Sequence, residues 1–191
     1  MLNSNWFKIV LLAQKISFGK KLNLRGIPCI VRRGGNISIG NNVTINSSFL
    51  SNLTGMNHRT IIVTRLPKSR VVIGDNVGIS GATIYARDSI EIGNNVSIGS
   101  NAKILDSDFH PLDIESRNAD DKSKIVDCPI VIEDDCFLGT DCIILKGTVL
   151  GRGCVVGAGA VVSGKYEPGS IIVGNPGKVV RIVNSEVKDN A

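Results

Sequence analysis

The sequence predicts an all-β solenoid, short parallel strands wound into a coil, with a brief helical cap at its N-terminal end and a second cap at its C-terminal end. Three observations carry this. Aliphatic residues recur every six positions, and Gly, Asn and Asp recur at a fixed phase between them. The chain is also apolar without being aromatic, with 42% hydrophobic but only 4% aromatic residues among 191. A period of six fits neither an amphipathic helix, at about 3.6, nor hairpin sheets, whose turns come roughly every 8 to 12 residues.

The repeat unit is visible when segments are laid under one another. N-I-S-I-G-N-N-V (36–43), R-V-V-I-G-D-N-V (70–77), S-I-E-I-G-N-N-V (89–96), P-I-V-I-E-D-D-C (129–136) and G-T-V-L-G-R-G-C (147–154) share one pattern. The aliphatic positions run Ile39, Ile45, Ile73, Ile79, Ile92, Ile98, Ile104, Ile132, Leu138, Ile144, Leu150, Val156 and Val162. Each hexad supplies one strand and one corner. The Gly-Asn-Asn and Gly-Asp-Asn corners hold residues that tolerate left-handed backbone. Inward aliphatic side chains then stack coil upon coil, and only the two ends need capping. The helix-like stretch 3–18 and the tail from residue 179 are the natural caps. This gives a cap with first strands at 1–35, the repeat coil at 36–178 and a tail at 179–191.

Spacing also locates what does not belong to the coil. Three hexads make an 18-residue turn, as from Ile132 to Leu150, and Ile73 to Ile92 adds a single residue. Ile39 to Ile73 leaves 16 residues beyond one turn, and Ile92 to Ile132 leaves 22. The surplus is assigned to excursions near 50–69 and 106–128, each containing one of the two histidines. Long loops on a regular scaffold are where function concentrates.

Composition excludes several classes. Disorder is excluded by the apolar content. The apolar run 9–13 is far short of the roughly 18 to 20 residues that span a bilayer, and no small-residue cleavage site follows it, so the chain reads as neither membrane-spanning nor secreted; an odd cysteine count without a staple pattern points to reduced thiols and a cytoplasmic location. The net charge of +5 is scattered and the aromatics are sparse, which argues against nucleic acid as a partner. The cysteines, Cys29, Cys128, Cys136, Cys142 and Cys154, contain no two-residue gap of a zinc or redox motif. Three lie six and twelve residues apart, in phase with the repeat, and read as small core positions. No metal site is expected.

His58 and His110 are the candidates for general-base chemistry near neutral pH. His110 lies in D-S-D-F-H-P-L (106–112), where Asp106 or Asp108 could orient the ring and Pro111 stiffens the chain. Taken from the residues alone, it is either a base or a solvated loop histidine. His58, in G-M-N-H-R (55–59), reads as a loop residue.

The hexads resemble those of the left-handed parallel β-helix acyltransferases of the hexapeptide-repeat family, over about residues 36–181. His110-Pro111 on a projecting loop is similar to that family's catalytic histidine. F-L-G-T (137–140), G-A-G-A-V-V-S (157–163) and G-N-P-G-K-V-V-R (174–181) are similar to its coenzyme A site. The ending and the loop histidine together are nearest the sugar and polysaccharide O-acetyltransferase branch.

That resemblance implies a homotrimer with sites between neighbouring coils. It implies acetyl-CoA as cosubstrate, a sugar or polysaccharide acceptor, and a place in capsular, exopolysaccharide or lipopolysaccharide biosynthesis. It gives His110 the role of general base, Asp108 (or else Asp106) that of orienting carboxylate, and backbone N–H groups near Gly139 that of oxyanion donors. Gly139 and Thr140 match the pantetheine path, Ala158 and Ser163 its main-chain and hydroxyl contacts, and Lys178 and Arg181 the basic pair near the adenosine phosphates. Phe137 stands where relatives often carry Trp. Around 80–88 the Asn and Asp that grip sugar in galactoside relatives are missing, so the acceptor is left open, with Asp88 and Asn57 weak candidates.

Other readings compete. A zinc enzyme on this coil needs three histidines, and the chain has two. A non-catalytic scaffold and an amino-sugar N-acetyltransferase are the alternatives on the same fold. Trp6, Phe7, Val10, Leu11 and Phe18 with Lys8, Lys15, Lys20 and Lys21 form a cap over the first coil, or else a peripheral membrane contact.

Overall fold

The computed structural model describes residues 4–183, and the chain there visits three parallel sheets in rotation. The first face stacks Ser17–Phe18, Asn36–Ile39, Arg70–Ile73, Ser89–Ile92, Ile130–Ile132, Val149–Leu150 and Lys165–Tyr166. On the second stand Asn23–Gly26, Thr44–Ser47, Gly78–Ser80, Ser97–Ile98, Phe137–Leu138, Val155–Val156 and Ser170–Val173, with Lys178–Ile182 added last. The third holds Cys29–Arg32, Ile61–Thr64, Thr83–Ala86, Lys103–Leu105, Ile143–Leu145 and Val161–Val162. One strand from each face makes a coil, numbered here from the N-terminal end.

The register explains the six-residue period. On the first face Phe18, Ile39, Ile73, Ile92, Ile132, Leu150 and Tyr166 are successive partners. The second face aligns Leu24, Ile45, Ile79, Ile98, Leu138, Val156 and Ile172. Each aliphatic residue therefore sits on its counterpart in the next coil. All the hexad positions from Ile39 to Val162 named above are buried. Burying each such side chain is worth about 1.5 to 3 kcal/mol, so the columns supply most of the apolar driving force. Cys136, Cys142 and Cys154 fill small inward corner positions, fully buried beside Val96, Ala102 and Ala160.

The corners divide their labour. Asn42, Asn76, Asn95 and Asp135, the last corner residues after the first face, hold the left-handed conformation, with φ between +56° and +63°. In the first three of these corners a glycine serves a different need: a Cβ on Gly40 would stand 2.5 Å from the Gly74 carbonyl oxygen of the next coil. Side chains then bond coil to coil. Asn41 Oδ1 accepts from the Lys20 N–H, Asp75 Oδ1 from Asn41 N–H, Asn94 Oδ1 from Asp75 N–H and Asp134 Oδ1 from Asn94 N–H, at 2.6–2.9 Å.

Each end of the coil is partly covered. In the N-terminal helix Ser4–Ala13, Phe7 and Leu11 are buried and Val10 packs on the core, whereas Trp6, Ile9 and Leu12 stay exposed on the other side. Gln14 ties the helix end to the first coil, donating to Ile30 O and accepting from Arg32 N–H, both at 3.2 Å. This satisfies strand groups that would otherwise be open to pairing. At the other end Lys178–Ile182 runs antiparallel to Ser170–Val173. Residues 1–3 of the expected N-terminal cap and 184–191 of the expected tail lie outside the described residues. No helix among the described residues is long and apolar enough to cross a membrane.

Two expectations are corrected. The helix stops at Ala13, and the first coil strand already occupies Ser17–Phe18, because Lys15 turns the chain with φ +57°. The first excursion is also shorter than residues 50–69. Ile61–Thr64 form the third-face strand of the second coil, pairing with Cys29–Arg32 and Thr83–Ala86. The surplus residues therefore leave from the corner after Ser47 and return at Thr60, whose Oγ1 donates to Asn46 O at 2.8 Å. The second excursion runs from Asp106 to the strand beginning at Ile130.

Candidate active site

The second excursion is closed at its neck by three charged residues. Asp106 is fully buried, and its two carboxylate oxygens accept from the Arg87 and Asp88 backbone N–H groups at 2.8 Å each. Burial pushes its carboxyl up from the ordinary aspartate range, and the two N–H bonds and the neighbouring acids work against and with that push respectively. Arg87 Nε donates to Asp127 Oδ1 at 2.9 Å, so the residue fixed to one side of the neck also holds the other. Cys128 N–H donates to Asp106 O and Asp108 N–H to Val126 O, completing a short antiparallel closure.

Beyond the neck, Phe109 takes φ +63°, with its N–H on Ser107 Oγ and its ring edge-on to Tyr85, centroids 5.2 Å apart. Such an aromatic pair contributes about 0.5 to 1.5 kcal/mol beyond burial. His110 follows directly. Its N–H donates to Asp108 O at 2.7 Å, and its exposed ring makes no hydrogen bond among the described residues. Pro111 is buried, and Arg117 Nη1 donates to the Pro111 and Leu112 carbonyls. The imidazole is thus presented on a backbone pinned on both sides.

Neither expected carboxylate is hydrogen-bonded to the ring. Asp106 is occupied at the neck. Asp108 Oδ2 is 3.4 Å from Lys146 Nζ, on the next coil, and has neither solvent nor a hydrogen bond among the described residues. Within one chain the orienting role assigned to Asp108, or else Asp106, is not made. His58 is engaged elsewhere, with Nδ1 2.8 Å from Arg59 O in the first excursion.

The residues expected at the cofactor fall into three groups. Thr140 and Ala158 occupy the corner after the second face on adjacent coils, and Phe137, about half exposed, precedes that corner. Gly139 is required there, since a Cβ on it would stand 2.6 Å from the Ala158 nitrogen. Its own N–H is spent on Val156 O at 2.7 Å, so it is not an oxyanion donor. The free donors are one residue on: among the described residues the Thr140 and Ala158 N–H groups have no partner in the chain. At the preceding corner, Asn and Asp side chains take the corresponding N–H groups; here Thr140 and Ala158 have no such side chain to offer. Ser163 lies at the next corner, past the third face, with its C=O accepting from Tyr166 Oη. Lys178 and Arg181 are exposed on the last strand of the second face.

Sequence reasoning missed Tyr85, Arg87 and Lys146, which act across coils and leave no local pattern. Burial pushes the thiols of Cys136 and Cys142 up to about 12, which removes them as thiolate nucleophiles at neutral pH. Among the described residues, no three of His, Cys, Asp and Glu gather as a metal site.

The family model described as the hexapeptide repeat of succinyl-transferase matches residues 129–163. Within that segment the coil carries the hexapeptide repeat. Solved structures share the left-handed β-helix over nearly the whole chain. A variant of the N-acyltransferase AntD from Bacillus cereus, in complex with dTDP-4-amino-4,6-dideoxyglucose and coenzyme A, is 20% identical over 95% of this chain and 89% of its own, with a TM-score of 0.68. A maltose O-acetyltransferase from Clostridium difficile 630 is 24% identical over 96% and 79%, with a TM-score of 0.60. The polySia-specific acetyltransferase NeuO is 21% identical over 92% and 79%, also at 0.60. At these identities the likeness establishes the hexapeptide-repeat fold. No curated protein matches by sequence.

Proposed function

We propose that this chain transfers the acetyl group of acetyl-CoA to a hydroxyl of a sugar, with His110 as general base. The observation that carries the reading is the His110 imidazole, exposed and unengaged on a loop stapled to the coil. The likeness to sugar O-acetyltransferases and to an amino-sugar N-acyltransferase supports the reaction class.

A neutral ring nitrogen of His110 takes the proton of the attacking hydroxyl and returns it to the departing thiolate, giving an acetyl ester and free thiol. A base in this position contributes about 10² to 10⁴ in rate, and positioning with N–H donors supplies the rest. Acetyl-CoA supplies the activated acyl group. The unpartnered N–H groups of Thr140 and Ala158 suit its amide carbonyls, Phe137 and Gly139 line the path, Ser163 lies farther along it, and Lys178 and Arg181 suit its phosphates.

The His110 loop leaves from one edge of the third face, and the Thr140–Ala158 corner lies at the other. This separation supports a homotrimer in which the histidine of one subunit serves the cofactor corner of its neighbour. There a neighbouring subunit could also supply the group that orients His110. A cytoplasmic enzyme acting on precursors of capsular, exo- or lipopolysaccharide is consistent with this reading.

The AntD likeness favours a second reading, attack by the amine of an amino sugar, with His110 again receiving the proton. Thermal unfolding with and without acetyl-CoA tests both against a non-catalytic scaffold. At about a hundred times Kd the cosubstrate adds about 2.7 kcal/mol; a folded protein that shows no shift contradicts both transferase readings.

A further inference from the structure

The outer side of the third face carries a depression of about 350 Å³ lined by Val31, Arg33, Val63, Arg65 and Tyr85. Its floor is apolar, and its cations have an unusual arrangement. Arg33, Arg65 and Arg87 each follow the third-face strand of successive coils. Arg33 N–H donates to Thr64 O, and Arg65 N–H to Ala86 O, so the three stack in one column. Neighbouring strands lie about 4.8 Å apart, a spacing at which like charges repel. Arg87 is neutralised by Asp127. Among the described residues, Arg33 and Arg65 have no ion pair and their side chains no hydrogen bond. Elsewhere the stacked corner columns bind themselves, Asn to Asp, coil to coil. Arg33 and Arg65 are thus two stacked, exposed arginines without the carboxylate that Arg87, next in the same column, has in Asp127.

Tyr85 links this depression to the reaction. It lines the depression and also holds the ring of Phe109, the residue before His110. Lys178 and Arg181 lie at the far end of the stack, on the order of 30 Å along the axis at that coil spacing, so the two pairs of cations do not serve one ligand group. The histidine loop leaves the fourth coil, between them.

We infer that Arg33 and Arg65 bind an anionic group of the acceptor, a phosphate ester or a carboxylate attached to the sugar, whose ring lies over Val31, Val63 and Tyr85. The inference rests on the acetyltransferase reading for the word acceptor, but the site itself does not. Guanidinium forks match planar or tetrahedral oxyanions with paired hydrogen bonds. A neutral sugar leaves both charges unanswered.

Calorimetric titration of the full chain and of the double variant Arg33→Gln, Arg65→Gln with glucose 1-phosphate, glucuronate and glucose tests this. At least one anionic sugar binds about ten-fold or more tightly than glucose, the preference falls with added salt, and it is lost in the double variant. A preference for glucose 1-phosphate identifies the phosphate ester, and one for glucuronate the acid. Equal binding of glucose, anion binding unchanged in the double variant, or no binding of either anion at millimolar concentration overturns the inference. Acetyl-CoA is titrated on the same samples. Its thermal shift persists in the double variant, which shows that the coil is intact. Anion binding without an acetyl-CoA shift removes the transferase reading and keeps the site, and the converse removes the site alone.

Discussion

Arg87 and Asp127, forty residues apart in the chain, close the neck of the histidine loop with a 2.9 Å hydrogen bond between side chains that are 15% and 9% exposed. Removing one partner of such a pair strands the other charge. Asp127→Ala is expected to lower stability by about 3 kcal/mol in urea unfolding, and to speed hydrogen exchange at the Cys128 and Asp108 amides. A loss too small to measure, with exchange unchanged, would mean the backbone bonds alone hold the neck.

His110→Ala is expected to slow acetyl transfer by about 10² to 10⁴ while leaving the acetyl-CoA thermal shift in place, because the ring makes no bond that supports the loop. Turnover at the original rate would remove His110 as the base.

Lys178→Ala is expected to weaken coenzyme A by about ten-fold, in line with a lost charged hydrogen bond, and to have little effect on dephospho-coenzyme A if the missing phosphate is the one it contacts. Equal losses for both ligands would take the residue away from that phosphate.

Acid should loosen the corners before the core. Asp75 and Asp135 are held below the ordinary aspartate value of 3.8, Asp75 first by the Asn41 N–H and Asp135 first by the Asn95 amide. A carboxylate whose folded pKa is depressed stabilises the fold above its unfolded pKa, and that contribution is lost as pH falls through the folded one. Unfolding midpoints should therefore drop on acidification below 3.8, and Asp75→Asn should flatten the drop. An identical pH profile in that variant would assign the acid sensitivity elsewhere.

Thiol labelling of the native chain should reach only Cys29 and Cys128, which are partly exposed, and leave the other three of the five unreacted until unfolding. Rapid labelling of Cys142 would be incompatible with its burial and its thiol pushed up to about 12.

The coil was legible because its physics is local and repeated: an Ile every six residues falls on an Ile one coil away, so Ile39, Ile73 and Ile92 declare a column without any structure. Counting surplus residues against the 18-residue turn is the same kind of local arithmetic. The count fixed how many residues left the coil near the first excursion, not which ones, and Ile61–Thr64 carry no glycine corner to mark them as a strand. Asp108 shows the limit at the candidate site. Nearness in sequence suggested His110 as its partner, whereas the coil brings Lys146 beside it from the next turn. Arg33 and Arg65 are likewise ordinary surface arginines in the sequence and become a pair only when their strands stack.

A parallel coil has no intrinsic stopping point, since each added turn presents the same hydrogen-bonding edge as the last. The reversal of Lys178–Ile182 ends that series by offering the mismatched pattern of an antiparallel strand. Unwound from Ser170–Val173, it would leave a template on which another molecule could continue the winding, and a discrete particle would become a fibre. The strand that covers the last edge of the second face is also the one that carries Lys178 and Arg181, so a chain that lost this cover would lose those two cations with it.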